Sequence, residues 1–202
     1  MIITRAQAEH IIYAKTISKC IDDSAKNRGT GIARRTPEYV AAKIQNGNAV
    51  IALDGEVFAG FCYIEVWGHG KYVAHSGLIV DPEYRGQGLA KKIKKGVFDL
   101  SLEKYPQAKV FGITTGMPVM KINYELGYKP VHFSELTDDP EFWKGCQTCK
   151  NFDVLTRTER QMCLCTGMLY DPKQETKSKK FNQNVFQRLK QIKETLLLKK
   201  KK

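Results

Sequence analysis

Residues 80–90 read Val80-Asp81-Pro82-Glu83-Tyr84-Arg85-Gly86-Gln87-Gly88-Leu89-Ala90. A β-branched apolar run ends at Val80 and an amphipathic helical pattern begins at Leu89, so the segment predicts a strand, a glycine-rich turn and a helix. Gly86 and Gly88 allow several backbone N–H groups to face one small volume without interference from side chains. The positive end of the helix dipole reinforces them. The segment therefore predicts a site for a pyrophosphate group.

The spacing of the glycines excludes two other phosphate-binding loops. The chain has no G-x-x-x-x-G-K-[ST] run, and the G-x-G at residues 86–88 lacks the third glycine of the dinucleotide fingerprint. Taken alone, two glycines between a strand and a helix are also typical of a turn without a ligand. The neighbouring segments are needed to choose between these interpretations.

The segments before residue 80 predict two helices followed by three antiparallel strands. Apolar residues recur at helical spacing from Gln7 to about Ala25, and Thr36-Pro37 is typical of the N-cap and first turn of a helix that ends near Gly47. Asp54-Gly55 is a strong signal for a two-residue hairpin turn. The three predicted strands cover residues 48–53, 57–67 and 72–80.

The segments after residue 88 alternate between helix and strand. The helix from Leu89 to about Lys104 has apolar residues on one face, and its lysines are predicted on the opposite face. A buried strand at 109–115, a short helix at 118–126 and a strand at 128–133 follow. This order predicts an α/β (α+β) fold with a mixed, mostly antiparallel sheet flanked by helices.

Two motifs in this region resemble signatures of one enzyme family. Arg85, Gly88 and Ala90 match the pattern (Arg/Gln)-x-x-Gly-x-(Gly/Ala), which is the acyl-CoA-binding motif of the GNAT superfamily of N-acetyltransferases. Residues 123–128, Asn-Tyr-Glu-Leu-Gly-Tyr, are similar to the second signature of that family. The two motifs occur in the family's order and at its separation, and the resemblance extends over residues 1–135.

The resemblance implies a GNAT-like fold and direct transfer of an acyl group from acetyl-CoA, or another acyl-CoA, to an amine. Tyr124 matches the family's tyrosine near the thioester sulfur, which can protonate the departing thiolate. Backbone groups of three strand residues would hold the pantetheine arm: Leu78, Ile79 and Val80. Backbone amides of the turn would hold the pyrophosphate: Arg85, Gly86, Gln87, Gly88, Leu89 and Ala90.

The general base remains open. An attacking amine is mostly protonated at neutral pH, so a side chain has to accept its proton. Where many relatives carry an acid or a histidine on the fourth strand, this chain has Ala74 and Ser76. His75 is expected to point to the opposite face unless a bulge intervenes. Glu65 on the neighbouring strand is the alternative, although either side chain is also compatible with a purely structural role.

The acceptor is suggested by residues 31–38, Gly-Ile-Ala-Arg-Arg-Thr-Pro-Glu, which resemble part of the glutamate N-acyltransferases (N-acetylglutamate synthase type) of arginine biosynthesis. The resemblance implies that Arg35, with Arg34 beside it, binds the acceptor's carboxylate, for which a guanidinium has suitable geometry. A basic pair on the surface at a helix start is the alternative. Glutamate is therefore the preferred acceptor, and a protein or peptide amine, or a partner-binding role with little catalysis, is the alternative.

Four cysteines lie close together in the sequence: Cys146, Cys149, Cys163 and Cys165. Two close pairs at this separation are compatible with a structural four-thiolate zinc site. A C-x-x-C redox pair and simple burial of small residues are the alternatives.

Charge is concentrated at the C-terminal end. Residues 171–202 contain eleven Lys or Arg and three acidic residues, a net charge of +8, which leaves +4 of the total of +12 for the rest of the chain. An amphipathic helix is predicted from about Phe181 to Leu198, suited to docking on the body or to pairing in a homo-oligomer, and a nucleic-acid or membrane surface is less favoured.

Three regions are predicted: an acyltransferase domain (1–135), a cysteine-containing extension (136–170), and a basic linker with the amphipathic helix (171–202). No apolar run reaches the roughly 20 residues that cross a bilayer, and the N-terminus lacks a signal-peptide pattern, so a cytoplasmic location is predicted.

Overall fold

The structure is a computed structural model that describes residues 1–28 and 35–174. Arg34 and the predicted C-terminal helix lie outside the described residues. None of the helices within these two ranges is long and apolar enough to cross a membrane.

A seven-stranded sheet organises the body of the protein. Its strands are β1 (Ile2–Arg5), β2 (Ala49–Asp54), β3 (Val57–Trp67), β4 (Tyr72–Val80), β5 (Lys109–Thr114), β6 (Lys129–Val131) and β7 (Thr166–Tyr170). Their order across the sheet is β1-β2-β3-β4-β5-β7-β6, and every neighbouring pair is antiparallel except β4 and β5, which are parallel. The predicted mixed, mostly antiparallel sheet is confirmed.

Helices cover both faces of the sheet. They are α1 (Ala14–Arg28), α2 (Pro37–Gln45), α3 (Leu89–Lys104), α4 (Met117–Glu125), α5 (Pro140–Lys144) and α6 (Phe152–Arg157). One face, called here the rear face, packs against α3 through an apolar cluster that includes Ile93, Val97 and Phe98. On the front face, α1 and α2 cover β2 and β3, while α5 and α6 cover β5 and β7.

Local sequence signals set several element boundaries. The Thr36 hydroxyl accepts a hydrogen bond from the Tyr39 N–H at 3.2 Å, and Pro37 is the first residue of α2, as the N-cap pattern predicts. The hairpin turn consists of Gly55 and Glu56, one residue later than predicted, because Asp54 still pairs with Val57. Residues 8–13 form a 3₁₀ helix before α1.

Residues 136–170 return to the sheet at their end. The last five, β7, pair with β5 from Val110–Tyr170 to Thr114–Thr166, and also pair with β6. Residues 1–170 form one compact unit. The segment predicted as an extension therefore supplies a strand of the same sheet, along with α5 and α6.

One lysine of α3 departs from the predicted pattern. Lys94 is only 3% exposed and lies on the buried side of the helix, next in sequence to the fully buried Ile93. The prediction that the lysines of this helix lie opposite its apolar face is wrong for Lys94. It holds for Lys91, Lys92 and Lys95, which are exposed.

Candidate active site

A gap opens in the sheet where β4 and β5 separate. The two strands pair over three positions, from Tyr72–Lys109 to Ala74–Phe111. Beyond these positions β4 continues to Val80 and β5 continues for three residues, without pairing to each other in the part of the chain that is described. An extended ligand can hydrogen-bond to backbone groups of such separated strand edges.

A β-bulge bends β4 beside the gap. The β3–β4 register shifts between Phe61 and Tyr63, so that Gly77 and Leu78 stand opposite a single residue of β3. Gly77 has φ +63°, and a Cβ placed on it would lie 2.3 Å from Cε1 of the Tyr63 ring. Only glycine fits this position without movement of its neighbours.

The turn from β4 into α3 exposes backbone amides. Gly86 and Gly88 have φ +78° and +75°, and no heavy atom lies within 4 Å of a Cβ placed on either residue. Gly88 is the N-cap of α3, and no side chain accepts a hydrogen bond from the first amides of the helix. The Arg85 Nε donates to the Val80 carbonyl at 3.2 Å and fixes the turn to the end of β4. The uncapped amides can therefore bind a phosphate.

A cavity of about 400 Å³ is lined by residues from both faces of the sheet at this gap. Tyr39 and Glu65 contribute from the front face, and Lys94 and Asn123 contribute from α3 and α4. A ligand in the gap can thus contact groups on both sides of the sheet.

Polar side chains on the front wall of the cavity form two neighbouring hydrogen-bonded groups. The Arg35 Nε donates to the hydroxyl of Tyr63. The Tyr39 hydroxyl donates to Oε1 of Glu65, and the Ser76 hydroxyl donates to Oε2 at 2.7 Å. The two groups therefore place a guanidinium and a carboxylate in one cavity wall.

Burial and neighbouring groups shift the pKa values of Tyr39, Tyr63 and Arg35 in this wall. Glu65 is 8% exposed, and the Lys43 ammonium lies 3.7 Å from its Oε1. Burial, followed by nearby ionisable groups, raises the pKa of both Tyr39 and Tyr63, so both hydroxyls stay protonated at neutral pH. Burial alone would lower the pKa of Arg35, but its interactions with Tyr63 and Glu65 raise it overall. The guanidinium therefore remains charged.

The sequence profile of the Acetyltransferase (GNAT) family matches residues 21–115, a range that contains the gap, the bulge and the glycine turn. The chain carries a GNAT-family acetyltransferase domain. The match confirms the family resemblance, includes the motif at residues 85–90 and ends before residues 123–128. The domain is that of an acyl-CoA-dependent N-acyltransferase.

Solved structures share the GNAT fold at low sequence identity. Rv2747 from Mycobacterium tuberculosis, solved in complex with CoA, is 15% identical with a TM-score of 0.59, over 85% of this chain and 99% of that one. N-acetylglutamate synthase from Neisseria gonorrhoeae, complexed with coenzyme A and N-acetyl-glutamate, is 13% identical with a TM-score of 0.59, over 84% of this chain and 34% of that one. The yncA protein of Salmonella typhimurium, solved with acetyl-CoA, is 14% identical with a TM-score of 0.58, over 85% of this chain and 94% of that one. No curated protein matches the sequence.

The residues of the GNAT domain fit a CoA thioester. The glycine turn leaves room for a pyrophosphate where Cβ atoms would intrude, and the separated strand edges suit the amide-containing pantetheine arm. Leu78 lines the cavity. The side chain of Ile79 is buried in the apolar core beneath α1 and α2, and that of Val80 in the apolar cluster of the rear face. Only the backbone groups of Ile79 and Val80 are therefore available to a ligand in the gap.

Tyr124 lies on the outer side of α4 in the GNAT domain. Its side chain is 68% exposed and is not part of the cavity wall, whereas the preceding residue, Asn123, is buried there. The next residue, Glu125, pairs with Lys91 at 2.8 Å and joins α4 to the first turn of α3. Tyr124 therefore lies outside the cavity wall, one residue along α4 from Asn123.

His75 is held within the rear face. The Ser101 hydroxyl donates to the Val97 carbonyl, so it accepts from Nε2 of His75 at 2.8 Å, and Nδ1 then accepts from the Tyr128 hydroxyl at 3.1 Å. Burial, followed by the charge of Lys94, holds the pKa of His75 well below its usual value. With both ring nitrogens occupied, His75 is poorly suited to be the general base. Glu65 is the better candidate.

The four cysteines line the cavity near α5 and α6. All four are free thiols, and burial followed by neighbouring thiols raises the pKa of Cys146 to about 11 and that of Cys165 to about 12. No group of three or more His, Cys, Asp or Glu within residues 1–28 and 35–174 is arranged to hold a metal ion. The predicted zinc site of Cys146, Cys149, Cys163 and Cys165 therefore has no support, and Cys146, Cys163 and Cys165 pack against an apolar cluster.

Several residues of the GNAT cavity were not identified from the sequence. Tyr39 and Tyr63 follow the ordinary apolar patterns of α2 and β3, which do not distinguish a hydroxyl facing a cavity from a packed ring. Lys94 carried a detectable signal, because it interrupts the apolar face of α3 between Ile93 and Val97. Asn123 likewise occupies a buried position in an amphipathic helix.

Proposed function

We propose that the protein transfers an acetyl group, or a larger acyl group such as succinyl, from acyl-CoA to the α-amine of a small amino acid, with glutamate preferred. The observation that supports this is that Arg35 and Glu65 both line the same wall of the cavity. A free amino acid carries a carboxylate for the guanidinium and an amine for the carboxylate. Its size also suits a cavity of about 400 Å³.

Glu65 is proposed to accept the proton of the acceptor amine. Tyr39 and Ser76 each donate to one of its oxygens, which fixes the carboxylate and leaves further lone pairs for the amine or a bridging water. The thioester supplies an activated carbonyl carbon. The amine forms a C–N bond to that carbon, and the C–S bond breaks.

Tyr124 is proposed to donate a proton to the departing sulfur. Its side chain is exposed, and it directly follows Asn123, which lines the cavity wall. Backbone amides of residues 85–90 are proposed to bind the pyrophosphate, and backbone groups of residues 78–80 the pantetheine arm.

The likeness to N-acetylglutamate synthase supports an amino-acid acceptor. Arg35 has the position that the sequence resemblance assigns to the acceptor carboxylate, and in the structure it lines the cavity. Acetylation of a protein or peptide amine is the competing function.

The decisive experiment measures release of free CoA thiol with acetyl-CoA and succinyl-CoA against a panel of amino acids and short peptides. We expect glutamate to stimulate thiol release more than any other amino acid. Stimulation by a peptide and by none of the free amino acids would overturn the proposal in favour of a protein acetyltransferase.

Replacement of Arg35 by alanine should weaken acceptor binding. A charged hydrogen-bonded pair contributes about 1.5–3 kcal/mol, so the KM for glutamate should rise about 10- to 100-fold, with little change in the KM for the thioester. Steady-state kinetics with each substrate varied in turn will measure this. Arg157→Ala, which removes an exposed arginine of α6, is the matched control and should change neither constant. An unchanged KM for glutamate would remove Arg35 from acceptor recognition.

Replacement of Tyr124 by phenylalanine tests the proton donor. Loss of a general acid lowers turnover by about 100-fold or more, while CoA affinity should change little because the ring is retained. Turnover and equilibrium binding of CoA will be compared with those of Tyr105→Phe, a tyrosine at the distant C-terminal end of α3. If Tyr124→Phe retains full turnover, the phenol takes no part in the reaction.

A further inference from the structure

Lys94 is a buried cation in the wall of the cavity. It is 3% exposed, and burial lowers its pKa to about 8, so most molecules still carry the charge at neutral pH. A buried ammonium is unfavourable by several kcal/mol unless an anion or several hydrogen bonds compensate for it.

The protein groups around Lys94 do not supply that compensation. Its neighbours are the thiol of Cys62 on β3, the imidazole of His75 on β4 and the ring of Tyr128, whose centroid lies 5.5 Å from Nζ. The ring of Tyr128 gives a cation–π contact. The imidazole of His75 is neutral and therefore supplies no negative charge. Within residues 1–28 and 35–174, Lys94 forms no side-chain hydrogen bond or ion pair with an acidic residue.

Asn123 lines the same cavity and is also unsatisfied. It is 1% exposed, and its Oδ1 is one of a few buried side-chain polar atoms without a hydrogen-bond partner in the described part of the chain. Buried polar atoms in native proteins are normally hydrogen-bonded, so such an atom beside a cavity requires an explanation. Oδ1 is an acceptor, so an N–H or O–H donor of a bound ligand would satisfy it.

We propose that Lys94 binds a carboxylate at the end of the acyl group, so that the cosubstrate is the CoA thioester of a dicarboxylic acid. This inference rests on the proposed binding of acyl-CoA in the gap between β4 and β5. Lys94 lies on α3, on the rear side of that gap, whereas the proposed acceptor groups Arg35 and Glu65 lie on the front side. The cavity thus has separate cationic groups for the acyl carboxylate and for the acceptor carboxylate.

An apolar acyl group does not account for these residues. A methyl group or a hydrocarbon chain would leave the buried ammonium without an anionic partner. A terminal carboxylate provides the missing charge and accepts N–H donors from the ammonium.

Equilibrium binding to the unmodified protein tests the inference without any acceptor. Isothermal titration will compare CoA with two unreactive thioether analogues of equal chain length, one ending in a carboxylate and the other in a methyl group. We expect the carboxylate analogue to bind about tenfold more tightly or better, as a charged hydrogen-bonded pair predicts. Equal affinity for the two analogues would overturn the inference.

Lys94→Met then assigns the preference to the lysine. Methionine has similar length and no charge, so the variant should lose the preference for the carboxylate while its affinity for CoA and the methyl analogue is retained. Lys95→Met, an exposed lysine of the same helix, is the control and should keep the preference. If the variant binds CoA and both analogues more weakly by the same factor, Lys94 contacts a part of CoA that all three share. That result would also overturn the inference.

The outcome is separable from that of the proposed function. Failure of every amino acid to stimulate thiol release would remove the acceptor assignment but would leave the binding preference intact. Loss of the preference would leave an amino-acid acyltransferase that uses an uncharged acyl group.

Discussion

Glu65→Gln is expected to lower kcat by about 100- to 10,000-fold, the range that a general base contributes. Glutamine has nearly the same shape, and its amide oxygen can still accept from the Tyr39 hydroxyl. It cannot accept the proton of the acceptor amine. Affinity for CoA should therefore stay close to that of the unmodified protein, and the loss should fall on turnover.

The pH dependence separates a base from a merely structural carboxylate. Raising the pH deprotonates the amine without help from the protein, so the deficit of Glu65→Gln should shrink as the pH rises. Glu141→Gln is the matched control, because Glu141 also lines the cavity but is exposed and pairs with Lys144. A deficit that is the same at every pH, or turnover close to that of the control, would exclude Glu65 as the base.

Local sequence signals were sufficient for most of the fold. The pattern of apolar residues predicted β4 and α3 with their observed bounds, and Thr36-Pro37 fixed the start of α2. These signals are reliable because each element carries its own periodicity and its own capping residues. The strand β1 was missed because four residues are too few to show a period.

The place of β7 could not be predicted from local patterns. Thr166–Tyr170 pairs with β5, more than fifty residues earlier in the chain, and separates β5 from β6. Strand order depends on such long-range pairing, and the sequence of residues 166–170 does not indicate which strand they pair with. Cys163 and Cys165 lie directly before this strand, so their packing against the sheet could not be predicted from local patterns either.

Only the part of the site that lies within one continuous segment could be predicted from the sequence. The glycine turn at residues 85–90 is contiguous, and its chemistry comes from the backbone, so the sequence was sufficient to propose a pyrophosphate site. The front wall of the cavity assembles Arg35, Tyr63 and Glu65 from separate segments. Their shared cavity became evident only when the strands were placed side by side.

Gly77→Ala is expected to cause the second large effect, a loss of about 2–5 kcal/mol in the free energy of unfolding. Part of this is backbone strain, since φ +63° costs a non-glycine residue about 1–2 kcal/mol. The remainder is overpacking, which costs about 1–3 kcal/mol. The new Cβ would lie 2.3 Å and 2.8 Å from two atoms of the Tyr63 ring, which is fully buried and bonded to Arg35.

Gly55→Ala is the matched control for backbone strain. Gly55 has φ +59°, and no heavy atom lies within 4 Å of a Cβ placed on it, so its replacement should cost only the strain. Urea denaturation of both variants gives the difference between them, which isolates the clash with Tyr63. Equal destabilisation of the two variants would show that Tyr63 moves aside at no cost.

The clash at Gly77 should also weaken acceptor binding, because the Tyr63 ring contacts the bulge and its hydroxyl bonds to Arg35. If Gly77→Ala displaces the ring, the hydrogen bond between Tyr63 and Arg35 is lost, and the KM for the acceptor should rise as well. The double variant Gly77→Ala/Tyr63→Leu removes the ring atoms that the methyl group meets, so it should be more stable than the sum of the two single changes predicts. Additive effects on the free energy of unfolding would show that the cost of Gly77→Ala does not come from the Tyr63 ring. A positive coupling would mean that the bend of β4, which opens the gap, and the residue that binds the acceptor depend on one buried contact.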